Sequence, residues 1–123
     1  MGPSDRESAY ELFQRGSRLL GDGHPGAAAV LLERAAHLEP GKESILEALG
    51  RAYYSQGQPA LAAERFQAIV ERDPVAHYAY FGLGLSASRL GDVEAARRHL
   101  KLAVALNPDN EDYRRALARL DAA

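Results

Sequence analysis

A period of 34 residues runs through this chain. Pro40, Pro74 and Pro108 recur at that step, since 74 − 40 and 108 − 74 both give 34. The same step relates Gly16, Gly50 and Gly84, then Gly23, Gly57 and Gly91, then Ala28, Ala62 and Ala96. Repetition on this scale restricts the chain to folds in which one supersecondary unit stacks on copies of itself, because a unit this small cannot bury its apolar face alone. Within a unit the apolar residues keep helical spacing, as in Leu46, Leu49, Tyr53 and then Ala62, Phe66, Ile69. Each unit therefore reads as two amphipathic helices, and the chain as all-α.

The punctuation agrees with this reading. The first glycine column falls mid-helix, where glycine costs about 1 kcal/mol relative to alanine, so its recurrence calls for a close helix contact as compensation. The second column, Gly23, Gly57 and Gly91, is expected to end each first helix in a left-handed conformation. Pro25 and Pro59 suit the start of second helices, and Pro40, Pro74 and Pro108 follow their ends. Ser4 with Glu7 reads as a capping box that starts the first helix ahead of the repeat proper. Asp109 to Asp112 reads as the acidic start of a seventh helix over 110–121, whose Tyr113, Ala116, Leu117 and Leu120 share one side.

These columns resemble the tetratricopeptide (TPR) family. The middle repeat places Leu46, Leu49, Gly50, Tyr53, Ala62, Phe66 and Pro74 where that family has its signature residues, with Ile69 in place of the usual alanine. The third offers Tyr80, Leu83, Gly84, Ala96, Leu100, Ala103 and Pro108. The first is weaker, with Arg15 at a leucine position. The resemblance implies a right-handed α-α superhelix of seven antiparallel-stacked helices. Its expected parts are an extension over 1–8, repeats over 9–42, 43–76 and 77–110, and a capping helix and tail over 111–123. A small stand-alone protein is the expectation. In the resemblance Gly16, Gly50 and Gly84 face Ala28, Ala62 and Ala96 of the partner helix. Ile69 departs from that pattern, and Ala79 is expected to make room for it.

Composition excludes several chemistries. The chain has no cysteine, which removes disulfides, thiol nucleophiles and thiolate metal sites. Fifteen Lys plus Arg against seventeen Asp plus Glu leave a net charge of -2, without the cationic excess that nucleic-acid binding needs. No apolar run approaches the roughly 20 residues of a membrane span, and Met1 to Ser8 carries charges where a signal peptide is apolar. A cytoplasmic location follows as the expectation, with no nucleic-acid or membrane partner. Thirteen arginines against two lysines is a bias of GC-rich bacterial genomes.

First helices line the concave side in the TPR family, and that side is the usual binding face. Repeat positions 2, 5, 9 and 12 are rotated about 100° from the packing stripe and should point into it. They hold Tyr10, Phe13, Ser17 and Leu20, then Ser44, Glu47, Arg51 and Tyr54, then Tyr78, Phe81, Leu85 and Ser88. Five of the nine aromatic residues thus fall on one groove, off the stripe the core requires. Arg89, Arg115 and Arg119 are expected to add a basic rim at its C-terminal end, able to hold a carboxylate, although Glu111 with Arg115 and Glu94 with Arg98 are spaced for i,i+4 pairs that would occupy some of that charge. Some relatives clamp the terminal carboxylate of heat-shock chaperones with Lys, Asn and Arg side chains. The matching positions here hold Phe13, Ser17, Ala48, Tyr78 and Gly82, which rejects that mode.

Other patterns carry less. Gly21, Gly23 and Gly26 match a dinucleotide-binding string, but a helix rather than a strand precedes them, so they read as an inter-helix turn. His24, His37, His77 and His99 have no metal-ligand spacing and read as surface histidines. No nucleophile, base and orienting acid assemble, and neither cofactor nor metal is expected. The sequence therefore points to a non-enzymatic scaffold that takes a protein or peptide partner in its groove. A self-associating (homodimer) assembly module, with the groove aromatics buried by another copy, or a regulatory subunit is the alternative.

Overall fold

The computed structural model describes residues 7–122. Seven helices occupy them: α1 (Ala9–Gly21), α2 (Pro25–Leu38), α3 (Glu43–Ser55), α4 (Pro59–Arg72), α5 (His77–Arg89), α6 (Val93–Leu106) and α7 (Glu111–Ala122). The starts of α1, α3, α5 and α7 keep the 34-residue step of the sequence. None of the seven is long and apolar enough to cross a membrane.

Local chemistry sets the boundaries. Gly23, Gly57 and Gly91 have φ of 85°, 78° and 83°, which costs glycine nothing. The following N–H then reaches back to satisfy a first-helix carbonyl: His24 to Leu19 at 2.8 Å, Gln58 to Tyr53 at 2.9 Å and Asp92 to Ala87 at 2.9 Å. Pro25 and Pro59 open α2 and α4. In the third repeat the Asp92 side chain takes over, accepting from the Ala95 N–H at 3.1 Å. Asn110 does the same for α7, accepting from Tyr113 N–H at 3.1 Å.

The start of α1 differs from expectation. Its capping box is Ser8 with Glu11: the serine hydroxyl accepts from Glu11 N–H at 3.0 Å, and the Glu11 carboxylate accepts from Ser8 N–H at 3.3 Å. The helix thus begins at Ala9 and not ahead of the repeat. Ser4 lies outside the described residues, and Glu7 is engaged by Arg15 instead of capping.

The mid-helix glycines make room mainly for a large residue one turn beyond the alanine column. A Cβ on Gly16 would lie 2.7 Å from Leu32 Cγ, on Gly50 2.7 Å from Phe66 Cζ, and on Gly84 2.6 Å from Leu100 Cγ. The alanines contribute their backbones: Ala28 O would be 3.4 Å from the Cβ on Gly16, and Ala96 O 3.3 Å from the one on Gly84. Fully burying each large apolar side chain contributes about 1.5–3 kcal/mol. This offsets the helix penalty of the glycine it packs on.

The core is a string of clusters along the stack. One joins Ala9, Leu12, Ala35 and Ile45; the next centres on Leu32 and Leu49; the third holds Leu46, Phe66, Ile69, Ala79 and Leu83. The Tyr53 hydroxyl donates to Glu33 of α2, which also accepts from Arg65 of α4 at 3.0 Å, tying three helices at one point. Each helix packs on its sequence neighbours, and α3 additionally touches α1 and α5. The second helices stand further apart from one another, so the stack bends with α1, α3 and α5 on its inner side.

Candidate functional site

Six of the residues placed on the groove by sequence converge on one cavity of about 350 Å³ between α3 and α5. They are Glu47, Arg51, Tyr54, Tyr78, Phe81 and Leu85. Helical geometry brings them together: the two inner helices lie side by side, and each presents the residues one step round from its packing stripe. Phe66 of α4 forms the floor. Gly82 lets the α5 backbone close onto the ring, which stays only 4% exposed, and leaves this point of α5 without a side chain projecting into the cavity. The sequence signal for this opening was Gly82 itself, an extra glycine with no counterpart in the other repeats, where Gln14 and Ala48 stand.

The walls are held by specific contacts. The Tyr78 hydroxyl donates to Glu43 Oε1 at 2.7 Å, bridging α5 to α3. Burial, and secondarily that acidic partner, raise the Tyr78 phenol well above its ordinary value. Phe81 stacks on Tyr113 of α7, with centroids 4.7 Å apart and planes at 29°. Tyr113 in turn shares a 2.8 Å hydrogen bond with His77 Nδ1. Tyr78 and Phe81 are half-buried on the cavity side, and Tyr113 is buried behind them. Tyr113 was read from the sequence only as packing surface of the last helix, and its contribution to the groove wall was missed.

Glu47 and Arg51 face each other across one helical turn at 3.6 Å. Burial of the Glu47 carboxyl raises its pKa above 4.5, and the attraction of Arg51 offsets this only in part. A raised folded-state value favours the neutral acid in the fold. The stability linked to that proton is present in full below the unfolded value near 4.5 and is lost as pH rises through the folded one. At pH 7 Glu47→Gln should therefore melt above wild type, and the gain should vanish in melts below about pH 4. A lower melting temperature at pH 7 would mean that the Arg51 pair outweighs the burial of the carboxylate.

A second cavity of about 460 Å³ adjoins the first and shares Tyr54 and Leu85 with it. Arg89 lines it from the end of α5, its guanidinium 4.5 Å from the centre of the Tyr54 ring. Arg119 lines it from α7. Arg115, expected beside them, is elsewhere. It turns onto acids of its own first turn, Glu111 at 3.4 Å and Asp112 at 3.8 Å, and borders a separate shallow recess. Spacings of three and four residues on one helix bring those charges together and hold the side chain away from the groove.

The N-terminal part of the expected set is also separate. Tyr10 is 65% exposed and shares a recess of about 140 Å³ with Phe13, Ser44 and Ile45. Phe13 is half-buried against the core clusters that contain Leu12 and Leu32, so much of its ring serves packing. Ser17 is half-buried on α1 and lines neither of the two large cavities. Two histidines expected on the surface are half-buried: His77 against Tyr113, and His99 stacked on Tyr80 with centroids 6.4 Å apart. Burial, helped by Arg98, lowers the His99 pKa. His24 and His37 are exposed.

Known proteins place this geometry in context. The family described as tetratricopeptide repeat matches residues 47–111. A rat protein, FK506-binding protein-like, is 31% identical over 120 residues, covering 91% of this chain and 35% of that protein. The chain spans about a third of the length of the curated relatives it matches. Among solved structures, the first TPR of RPAP3 bound to the HSP90 peptide SRMEEVD superposes with a TM-score of 0.88 at 18% identity, covering 94% of this chain and 91% of that one. MamA from Desulfovibrio magneticus gives 0.90 at 23% identity, covering 96% and 67%. With the repeat period, the glycine caps, the inner row of first helices and these likenesses all in agreement, the chain belongs to the tetratricopeptide repeat family, with its all-α solenoid fold.

Proposed function

We propose that this chain is a non-catalytic interaction module, cytoplasmic and bacterial, that holds a peptide segment of another protein in the groove formed by α3 and α5. The observation that carries the reading is the cavity walled by Tyr54, Tyr78, Phe81 and Leu85 over the ring of Phe66. Apolar walls with a few polar groups at the rim suit apolar anchor side chains, as in grooves that take a helix or an extended strand. The peptide held by the RPAP3 domain of like fold supports the class of partner. Its chaperone origin is not carried over, because Ala48 and Gly82 offer no side-chain donor where a carboxylate clamp would require one.

Leu85→Asp places a charge where both cavities meet, at a half-buried position that the core clusters do not use. It should abolish capture of the partner and leave the far-ultraviolet circular dichroism unchanged. Phe81→Ala should also abolish capture, while loosening α7 through loss of the Tyr113 stack. The checking measurement is affinity capture from the source organism with wild-type and variant baits, followed by titration of the captured partner's segment. Unchanged affinity in Leu85→Asp would overturn the site.

Self-association is the second reading, favoured by the 65% exposed ring of Tyr10 beside its recess at the α1 end. Light scattering after size exclusion separates the two. A monomer removes the homodimer, and a dimer that Tyr10→Ala dissociates supports it.

A further inference from the structure

We infer that the peptide taken by the groove carries an acidic side chain, whose carboxylate lodges between Arg89 and Arg119 in the second cavity. The inference rests on the peptide-in-groove reading and specifies the chemistry of its occupant.

The two cavities differ in charge. The first is balanced, with Arg51 matched by Glu47 at 3.6 Å. The second has two cations and no acid among its lining residues; its remaining surface is made chiefly by Leu85, Leu100, Ala116 and Leu120. Among the described residues neither Arg89 nor Arg119 forms an ion pair, whereas Arg51, Arg97 and Arg115 each do. Two like charges beside apolar walls repel each other, and an incoming anion relieves that repulsion. The excess is local, because the chain as a whole carries a net charge of -2.

Geometry favours a carboxylate. The Arg89 guanidinium carbon lies 4.5 Å from the centre of the Tyr54 ring, a cation–π contact that restrains the side chain without using its N–H donors. A planar guanidinium edge matches the two oxygens of a carboxylate, and such charge-assisted bonds are about twice as strong as neutral ones. Both guanidinium groups are exposed at the mouth of the recess, and the leucine side chains beside them favour an acid flanked by apolar atoms, as when Asp or Glu stands beside Leu, Ile or Phe. Because Tyr54 and Leu85 belong to both cavities, one peptide can anchor an apolar side chain over Phe66 and set its acid one step further along.

The test pans the whole chain against random peptides displayed at the amino end of a carrier, so that no free carboxyl terminus is offered. Wild type, Leu85→Asp and the double variant Arg89→Glu, Arg119→Glu serve as baits. Wild type should enrich peptides pairing Asp or Glu with an apolar residue, and the double variant should lose that preference for acid. One enriched peptide, synthesised with an amidated end and compared with its Glu→Gln form, should bind wild type about tenfold more tightly than the glutamine form. Arg89→Ala and Arg119→Ala should weaken the glutamate peptide and leave the glutamine peptide unchanged. Equal affinity for the two peptides, or enrichment of apolar peptides without acid, overturns this inference and leaves the groove reading intact. If wild type enriches nothing that Leu85→Asp does not, the groove reading fails and this one with it.

Discussion

Replacing Ile69 by alanine will lower the unfolding free energy by about 2–5 kcal/mol. Ile69 is 0% exposed and sits among Leu46, Phe66, Ala76, Ala79 and Leu83, where the second hairpin meets the third. Its repeat counterparts are Ala35 and Ala103, also fully buried, so the other two units solve the same position with a methyl group. Ala79, fully buried in the same cluster, is the small neighbour that admits the larger side chain. Truncation therefore leaves a void that alanine on both sides cannot refill, and the cost grows with the volume left unfilled. Urea denaturation should show a lower midpoint with an unchanged slope, and thermal melting a drop of roughly 4 °C for each kcal/mol lost. A loss below about 1 kcal/mol would mean that α4 and α5 close the gap by sliding together.

Gly82→Val should destabilise by about 3 kcal/mol, the upper part of the range for overpacking a filled core. A Cβ at position 82 would stand 2.5 Å from Phe66 Cε2 and 2.6 Å from Cδ2 and Cζ. Ordinarily a ring could retreat. Here Gly50 also closes on the ring tip, where a methyl would already be 2.7 Å from Cζ, so two glycine backbones crowd the same ring and limit its retreat. Alanine at 82 would recover about 1 kcal/mol of helix propensity and so cost less than valine. The cause is checked by a double-mutant cycle with Phe66→Leu, which removes the clashing ring. A coupling of about 1–2 kcal/mol in the relieving direction is expected, and strict additivity would place the damage elsewhere.

Legibility from sequence followed the physics of each feature. The glycine caps and the prolines act within one turn of chain, and a period of 34 repeats them, so helix number and the turns between helices were readable, whereas the start of α1 was not. Inner-face positions followed from helical rotation alone, which is why Glu47, Arg51, Tyr54, Tyr78, Phe81 and Leu85 come together. What failed depended on contacts between units that differ. Phe13 faces inward but meets the core clusters at the α1 end. Arg115 is the exception, since its pairing with Glu111 is readable from the four-residue spacing along α7 and only its distance from the groove is not. His77 and His99 are covered by Tyr113 and Tyr80, which no spacing along a single helix reveals. Ser8 with Glu11 has the same serine-to-glutamate spacing as Ser4 with Glu7, and only the geometry of the first turn shows which pair caps α1.

The stack of Tyr113 on Phe81 has a consequence for ligand energetics. One face of the Phe81 ring is already occupied by α7, so a guest on the other face and the docking of that terminal helix share a single aromatic intermediary. By reciprocity, whatever free energy α7 adds to a guest's hold, the guest returns to the attachment of α7. Fraying of the last helix and emptying of the groove are therefore coupled, each favouring the other by the same free energy.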